Sequence, residues 1–375
     1  MVRAQMRKLG EINGLRGIAI LSVLFEHLHL GKEPPWMHDQ MPQWGALGLK
    51  FFAKSVYWNG WLAVNLFFVL SGFVLFLPYA KGSRHMAGWA DCSYYYVRRS
   101  LRLLPLFSIA VLVSILFVEP FQGSWPALRE ALFCLSGLFH FTSSYFWPPC
   151  NSVLWSLGVE IWFSVLFPLI IMGTVRFGLW KTFGTCVLVA LATRLLGVWA
   201  PDASQLIHIQ PIKDNVFGRV DDFAVGVAVA KLYAQGRFQS KVSLGWSLLG
   251  GIACLWVGGI LWTLARCELI APWTRAFYNI PVWLGFGGIL LAAINPHLPK
   301  LLGLVLRNSF LQLSGAMCFS LYVWHFVIIT HFINRSHHPV DVATFFIMTF
   351  ALAILSYRFI EFGDVKDWRR LLPGN

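Results

Sequence analysis

Apolar residues along this chain gather in runs of about 20, the length an α-helix needs to cross a hydrocarbon core of about 30 Å. Ten runs fit that ruler: Leu15–Leu30, Trp58–Pro78, Leu101–Val118, Ser152–Thr174, Leu179–Trp199, Val216–Tyr233, Leu244–Leu264, Ile280–Asn295, Phe310–Phe332 and Val340–Ile360. The first and eighth are short. An eleventh apolar stretch, Trp125–His140, runs on into Ser-Ser and Pro-Pro and reads as an interfacial or re-entrant piece. The pattern predicts an all-α integral membrane protein of about ten transmembrane helices. It forms one domain over residues 1–375, without internal repeat or low-complexity linker.

Composition agrees. Hydrophobic residues make up 57% of the chain and charged residues 13%, about half the charged share of a soluble domain. The 18 Trp suit helix ends anchored at lipid interfaces. A net charge of +13 would suggest nucleic acid in a soluble protein. Here the basic residues favour alternate connections: 18 of the 30 Lys and Arg fall on the side of the N-terminus, eight opposite and four within spans. The positive-inside rule then predicts cytoplasmic N- and C-termini and no nucleic-acid partner. The first run carries Arg16, Glu26 and His27, so a cleavable signal peptide is not expected. Seven cysteines show no CxxC or Cys/His spacing, so no metal site is expected. Cys134, Cys150 and Cys267 fall on the exterior side and admit one disulfide.

Ionisable groups at membrane depth are costly and usually functional. Arg16 and His27 are 11 residues apart, which returns a helix to the same face within about 20° and about 16 Å further along. A guanidinium at the inner mouth can hold a phosphate or a thioester carbonyl. An imidazole deeper in can take a hydroxyl proton. Arg16 snorkelling and His27 bonded within the bundle is the bland alternative. Glu26 points about 100° away and could orient a neighbour. Glu160 needs a cation or polar pocket, and both His27 and Arg219 are candidates. Arg219 and Asp222, with Ser320, Tyr322 and His325 on the ninth span, are expected to line a cavity or meet the acceptor. His325 would sit near the outer face, possible also as an interfacial histidine beside Trp324. Arg98, Arg99 and Arg102 stand at the start of the third span, either as an ordinary basic flank or as a dock for an anionic donor such as coenzyme A. Ser71 and Gly72 suit close helix packing, and Arg358 with Glu361 suits an i,i+3 ion pair.

Seven blocks in order then resemble the acyltransferase-3 family of membrane acyltransferases: GLRGIAILSVLFEH (14–27), NLFFVLSGF (65–73), YVRRSLRLLP (96–105), LWSLGVEIWFSVLFP (154–168), GRVDDFAVG (218–226), GAMCFSLYVWH (315–325) and YRFIE (357–361). The resemblance implies transfer of an acyl group, often acetyl, from cytosolic acyl-CoA as co-substrate to a hydroxyl, commonly of a carbohydrate, with no tightly bound cofactor. It implies essential roles for Arg16 and His27, and roles for Glu160 and for Arg98, Arg99 and Arg102. Glu26 is a further catalytic candidate. Asn65 departs from the family, which often has an acid there. The esterase-like outer domain of many members is not expected in this chain. The expected acceptor is an envelope glycan such as O-antigen or exopolysaccharide at a bacterial inner membrane. A small secreted glycoside such as a macrolide sugar is the alternative, and a transporter or flippase of lipid-linked sugars the rival class. Oligomeric state is left open.

Overall fold

A computed structural model of the chain describes residues 10–29, 62–116, 125–143, 145–199, 210–266, 269–332 and 339–361. Among them there are helices and no strands. In chain order they are α1 (Gly10–His29), α2 (Ala63–Ala80), α3 (Trp89–Leu116), α4 (Trp125–Leu135), α5 (Leu154–Arg176), α6 (Leu179–Trp199), α7 (Val216–Ala234), α8 (Lys241–Arg266), α9 (Asn279–Ala293), α10 (Lys300–Leu306), α11 (Ser309–Ala316), α12 (Cys318–His331) and α13 (Pro339–Ser356). Two short 3-10 segments, Leu138–Phe141 and Pro272–Ala276, and a π-turn at Tyr357–Glu361 join them.

Among the described residues each sequence-predicted span falls mostly on helix, but these supply fewer helices of membrane-crossing length and apolarity than the ten expected. Among the described residues seven helices are long and apolar enough to cross a bilayer, or eight if a bent pair counts as one. The two predicted spans that fall short are α1, which carries Glu11, Arg16 and Glu26, and α7, which carries Arg219, Asp221, Asp222 and Lys231. Their charges are the reason. The bent pair is α11 and α12, which meet at 79° around Met317 where Phe310–Phe332 reads as continuous. Gly315 explains part of the bend: a Cβ there would collide with the carbonyl of Asn13, so the chain turns where α11 presses backbone to backbone on α1. α3 also starts well before Leu101, so Arg98, Arg99 and Arg102 lie inside the helix rather than at its start.

α7 is the central post, with 15 of its 19 residues buried. It packs on α2, α6 and α9. Gly72 and Gly226 let α2 and α7 touch through their backbones, since a Cβ on either would strike the partner's main chain. The Phe163 and Phe223 rings stack at 3.6 Å and tie α5 to the same post. α1 is held at its start by an ion pair between Glu11 and Arg307 and by Gln312, whose side-chain amide donates to the Gly10 carbonyl at 2.6 Å. Outward-facing Leu188, Trp246 and Ile347 are exposed on the outer helices α6, α8 and α13, as a surface against lipid tails requires.

Candidate active site

A cavity of about 660 Å³ opens among α1, α2, α3, α5 and α12. Arg16, Arg84, Arg98, Arg99 and Arg102 line it, against Asp91 and Glu160, an excess of three positive charges. These cations differ in what they touch. Arg98 donates to the Tyr94 hydroxyl at 3.3 Å and stacks over that ring. Arg99 is committed to the wall: it pairs with Glu160 and donates from Nε to the Ser164 hydroxyl at 2.8 Å. Among the described residues Arg16 and Arg102 make no hydrogen bond or ion pair, and Arg102 feels Arg16 and Arg99 as neighbouring cations and Glu361 as an anion. Clustered guanidinium groups with open donors call for an external anion. Cys318 and Phe319, the first residues of α12, form part of the same wall. The break at Met317 brings the positive end of the α12 dipole there.

Glu160 therefore meets neither of its expected partners. Its carboxylate takes Arg99, and the Ser71 hydroxyl donates to it at 2.6 Å. The reason is register: Glu160 and Ser164 lie one turn apart on α5 and together present two acceptors to the forked Arg99 side chain. Ser71 thus binds Glu160 while its neighbour Gly72 supplies the close packing.

Arg16 and His27 do lie along one helix, yet only Arg16 borders the cavity. His27 is half-buried, with Nδ1 2.9 Å from the Val23 carbonyl. Its ring meets His325 edge-on at a centroid distance of 4.9 Å and Phe326 at 5.7 Å. His325 is fully buried within the bundle. Tyr322 joins the two places: its ring borders the cavity and lies 5.4 Å from that of His325. The Tyr322 hydroxyl accepts from Ser156 at 2.6 Å and donates to the Val153 carbonyl at 3.1 Å. Glu26 is half-buried beside His27 on α1 and does not border the cavity.

Arg219 and Asp222 do not border the cavity either. They belong to a closed network with no exposed member. Arg194 binds Asp221 through two nitrogens at 2.7 and 3.0 Å, and Trp283 donates to Asp221 at 2.9 Å. Arg219 binds Asp214 at 2.5 Å and Asn279 at 3.0 Å. Asn65 donates to Asp222 at 3.0 Å and to Asn279 at 2.6 Å. A carboxylate at position 65 could donate neither bond, and a protonated acid at most one, so the amide suits the place.

Ser320 donates to Glu361, and the expected Arg358–Glu361 pair is not formed. The π-turn widens the helix so that residues three apart no longer share a face, and Arg358 lies over Phe359 instead. Cys134 and Cys150 are buried thiols whose sulfurs lie within 4.8 Å of each other and of the Glu130 carboxylate, while Cys267 falls outside the described residues. Sequence reading passed over Arg84, Tyr94, Ser156 and Cys318 as cavity residues. Tyr94 and Arg98, one turn apart, carried a helical signal; Ser156 and Cys318 carried none.

A polytopic helical bundle with a basic internal cavity and histidines behind it defines the class. Residues 9–358 match the acyltransferase domain family, and the chain belongs to the acyltransferase-3 family. It is 24% identical over 382 residues to O-acetyltransferase OatA of Staphylococcus aureus (strain NCTC 8325 / PS 47), covering 95% of this chain and 57% of that protein. It is likewise 24% identical over 384 residues to putative O-acetyltransferase SACOL0978 of Staphylococcus aureus (strain COL), again covering 95% of this chain and 57% of the relative. The chain thus spans somewhat over half the length of these relatives. No solved structure matches it significantly.

Proposed function

We propose that this chain is a membrane O-acyltransferase that takes an acyl group, acetyl in the first instance, from acyl-CoA and delivers it to a carbohydrate hydroxyl. The observation that carries the reading is the pair of guanidinium groups, Arg16 and Arg102, that have no hydrogen-bond or ion-pair partner among the described residues, in a cavity with excess positive charge. A thioester donor rich in phosphates supplies what they lack, and forked guanidinium donors suit phosphate oxygens. Family membership and the names of the relatives favour acetyl transfer to oxygen. In this reading the Arg16 end of α1 faces the cytoplasm of a bacterial cell, and the acceptor, an envelope glycan, arrives from the His27 side.

The chemistry divides accordingly. Arg16 and Arg102 hold the donor phosphates. The Arg99–Glu160 pair fixes the α3–α5 wall. His27 accepts the hydroxyl proton as the oxygen attacks the thioester carbonyl; the carbon–sulfur bond breaks and the thiolate leaves, regaining a proton. General-base assistance of this kind contributes on the order of 10²–10⁴-fold. Purified protein should release free CoA thiol from acetyl-CoA when a carbohydrate acceptor is present, across a panel of acyl chain lengths. His27→Ala should abolish release while inserting normally into the membrane. Full activity in that variant would sink the assignment of His27.

A further inference from the structure

The histidine that packs against His27 has an unexplained feature. His325 is fully buried, and among the described residues its Nε2 has no hydrogen-bond partner. Its Nδ1 lies 2.6 Å from the Tyr322 carbonyl. A carbonyl accepts only, so Nδ1 carries the hydrogen and the neutral ring presents Nε2 as a lone pair. The same argument applies to His27, whose Nδ1 faces the Val23 carbonyl. Two imidazoles in contact, each with Nδ1 committed to a backbone oxygen, are thus set in the same tautomer. A buried polar nitrogen without a partner costs stability, and an aromatic hydrocarbon of similar size would fill the space more cheaply. Among the described residues, the titratable side chains in ring contact with His325 are His27 from α1 and Tyr322 on its own helix. α13, packed against α12, carries Asp341 in its first turn and no further ionisable residue through Ser356.

We propose that His325 is a second histidine of the transfer site, a positioning and proton-holding residue that acts through His27. When the acceptor oxygen attacks, its O–H bond breaks and the proton passes to His27. The resulting imidazolium shares that proton with His325 Nε2 while the oxygen–carbon bond forms and the carbon–sulfur bond breaks. The departing thiolate then takes that proton from His27 to become the free thiol, so the pair ends as it began. The inference rests on the proposed role of His27 as base.

The test compares His325→Phe, His325→Asn and His27→Ala in the full-length purified protein, with kcat, KM for acetyl-CoA and the pH dependence of kcat as readouts. The expected result is that His325→Phe accumulates in the membrane at or above the wild-type level, keeps KM within about twofold, and loses on the order of 10²-fold in kcat. The acidic limb of the kcat profile should shift. His325→Asn should lose kcat similarly, because an amide cannot hold the proton. Wild-type kcat and an unchanged acidic limb in His325→Phe, with His27→Ala inactive, would overturn this inference and leave His27 standing. Full activity in His27→Ala would remove the base itself. Failure of both His325 variants to accumulate would show a packing role and also overturn the proposal.

Discussion

Two clusters of charge inside this bundle contain similar residues and do opposite things. The closed network on α7 sets Arg194, Arg219 and Lys213 against Asp214, Asp221 and Asp222, three cations to three acids. Its members are buried, and Arg194 spends its fork on one carboxylate. The cavity cluster sets five arginines against two acids and leaves Arg16 and Arg102 without a hydrogen-bond or ion-pair partner among the described residues. Balanced charge, paired and hydrogen-bonded within the protein, fixes helices. Unbalanced charge facing a void waits for a ligand. Membrane depth alone therefore does not mark a functional residue, although both clusters were marked by it; the inventory of partners separates them.

The difference predicts opposite responses to similar mutations. Asp221→Ala should have the largest effect on the fold, because it leaves Arg194 buried and uncompensated at a cost of about 3–5 kcal/mol. Thermal unfolding of the purified protein should show a large drop in Tm, and the variant should accumulate poorly. Arg16→Ala and Arg102→Ala should leave Tm within a degree or two and act on the donor instead. Each loses charge-assisted bonds of about 1.5–3 kcal/mol, so KM for acetyl-CoA should rise by roughly 10- to 150-fold. A Tm collapse in Arg102→Ala with unchanged KM would exchange the roles assigned to the two clusters.

Asn65→Asp probes the balance of the closed network from the other side. It removes two donated bonds and adds a fourth acid, so a loss of about 1–3 kcal/mol is expected, partly restored when combined with Asp222→Asn. Ionic strength should sharpen the contrast further. Salt screens charges facing water within about 10 Å at 0.1 M, so added salt should raise the donor KM while barely moving Tm.

A smaller effect concerns His140, outside the spanning helices, where burial pushes the imidazole down to about 3 and Nε2 accepts the Val216 amide at 2.8 Å. The folded form disfavours the proton, so the stability it contributes is fully present above the unfolded value near 6.5 and falls as pH drops below it. Tm measured from pH 7.5 to 5 should fall, and His140→Gln should flatten that slope.

Much of the helix layout was legible in the apolar runs. Leu179–Trp199 coincides with α6 because nothing interrupts it, and the mixed run Trp125–His140 is no spanning helix. Hydropathy could not show the break at Met317, because apolarity continues across it while backbone contact with α1 does the bending. The excess length of α3 was hidden for the opposite reason: its first three turns are polar and aromatic, yet helical. Of the site, helical spacing on α1 placed Arg16 and His27 on one face. Pairings across the chain were not legible. Glu160 had two candidate partners, His27 and Arg219, and the packing of α3 on α5 gives it Arg99 instead. His27 and His325 are separated by most of the sequence, and no local pattern announces their contact.

Donor binding by Arg16 and Arg102 is what separates a binding site from a merely basic cavity. Equilibrium binding of acetyl-CoA to the purified protein, measured in parallel for wild type, Arg16→Ala, Arg102→Ala and Asp221→Asn, tests this without requiring the acceptor. The account predicts saturable binding by wild type, weakened at least about tenfold in each arginine variant and retained by whatever fraction of Asp221→Asn remains folded. Wild-type affinity in the Arg16→Ala, Arg102→Ala double variant would contradict it.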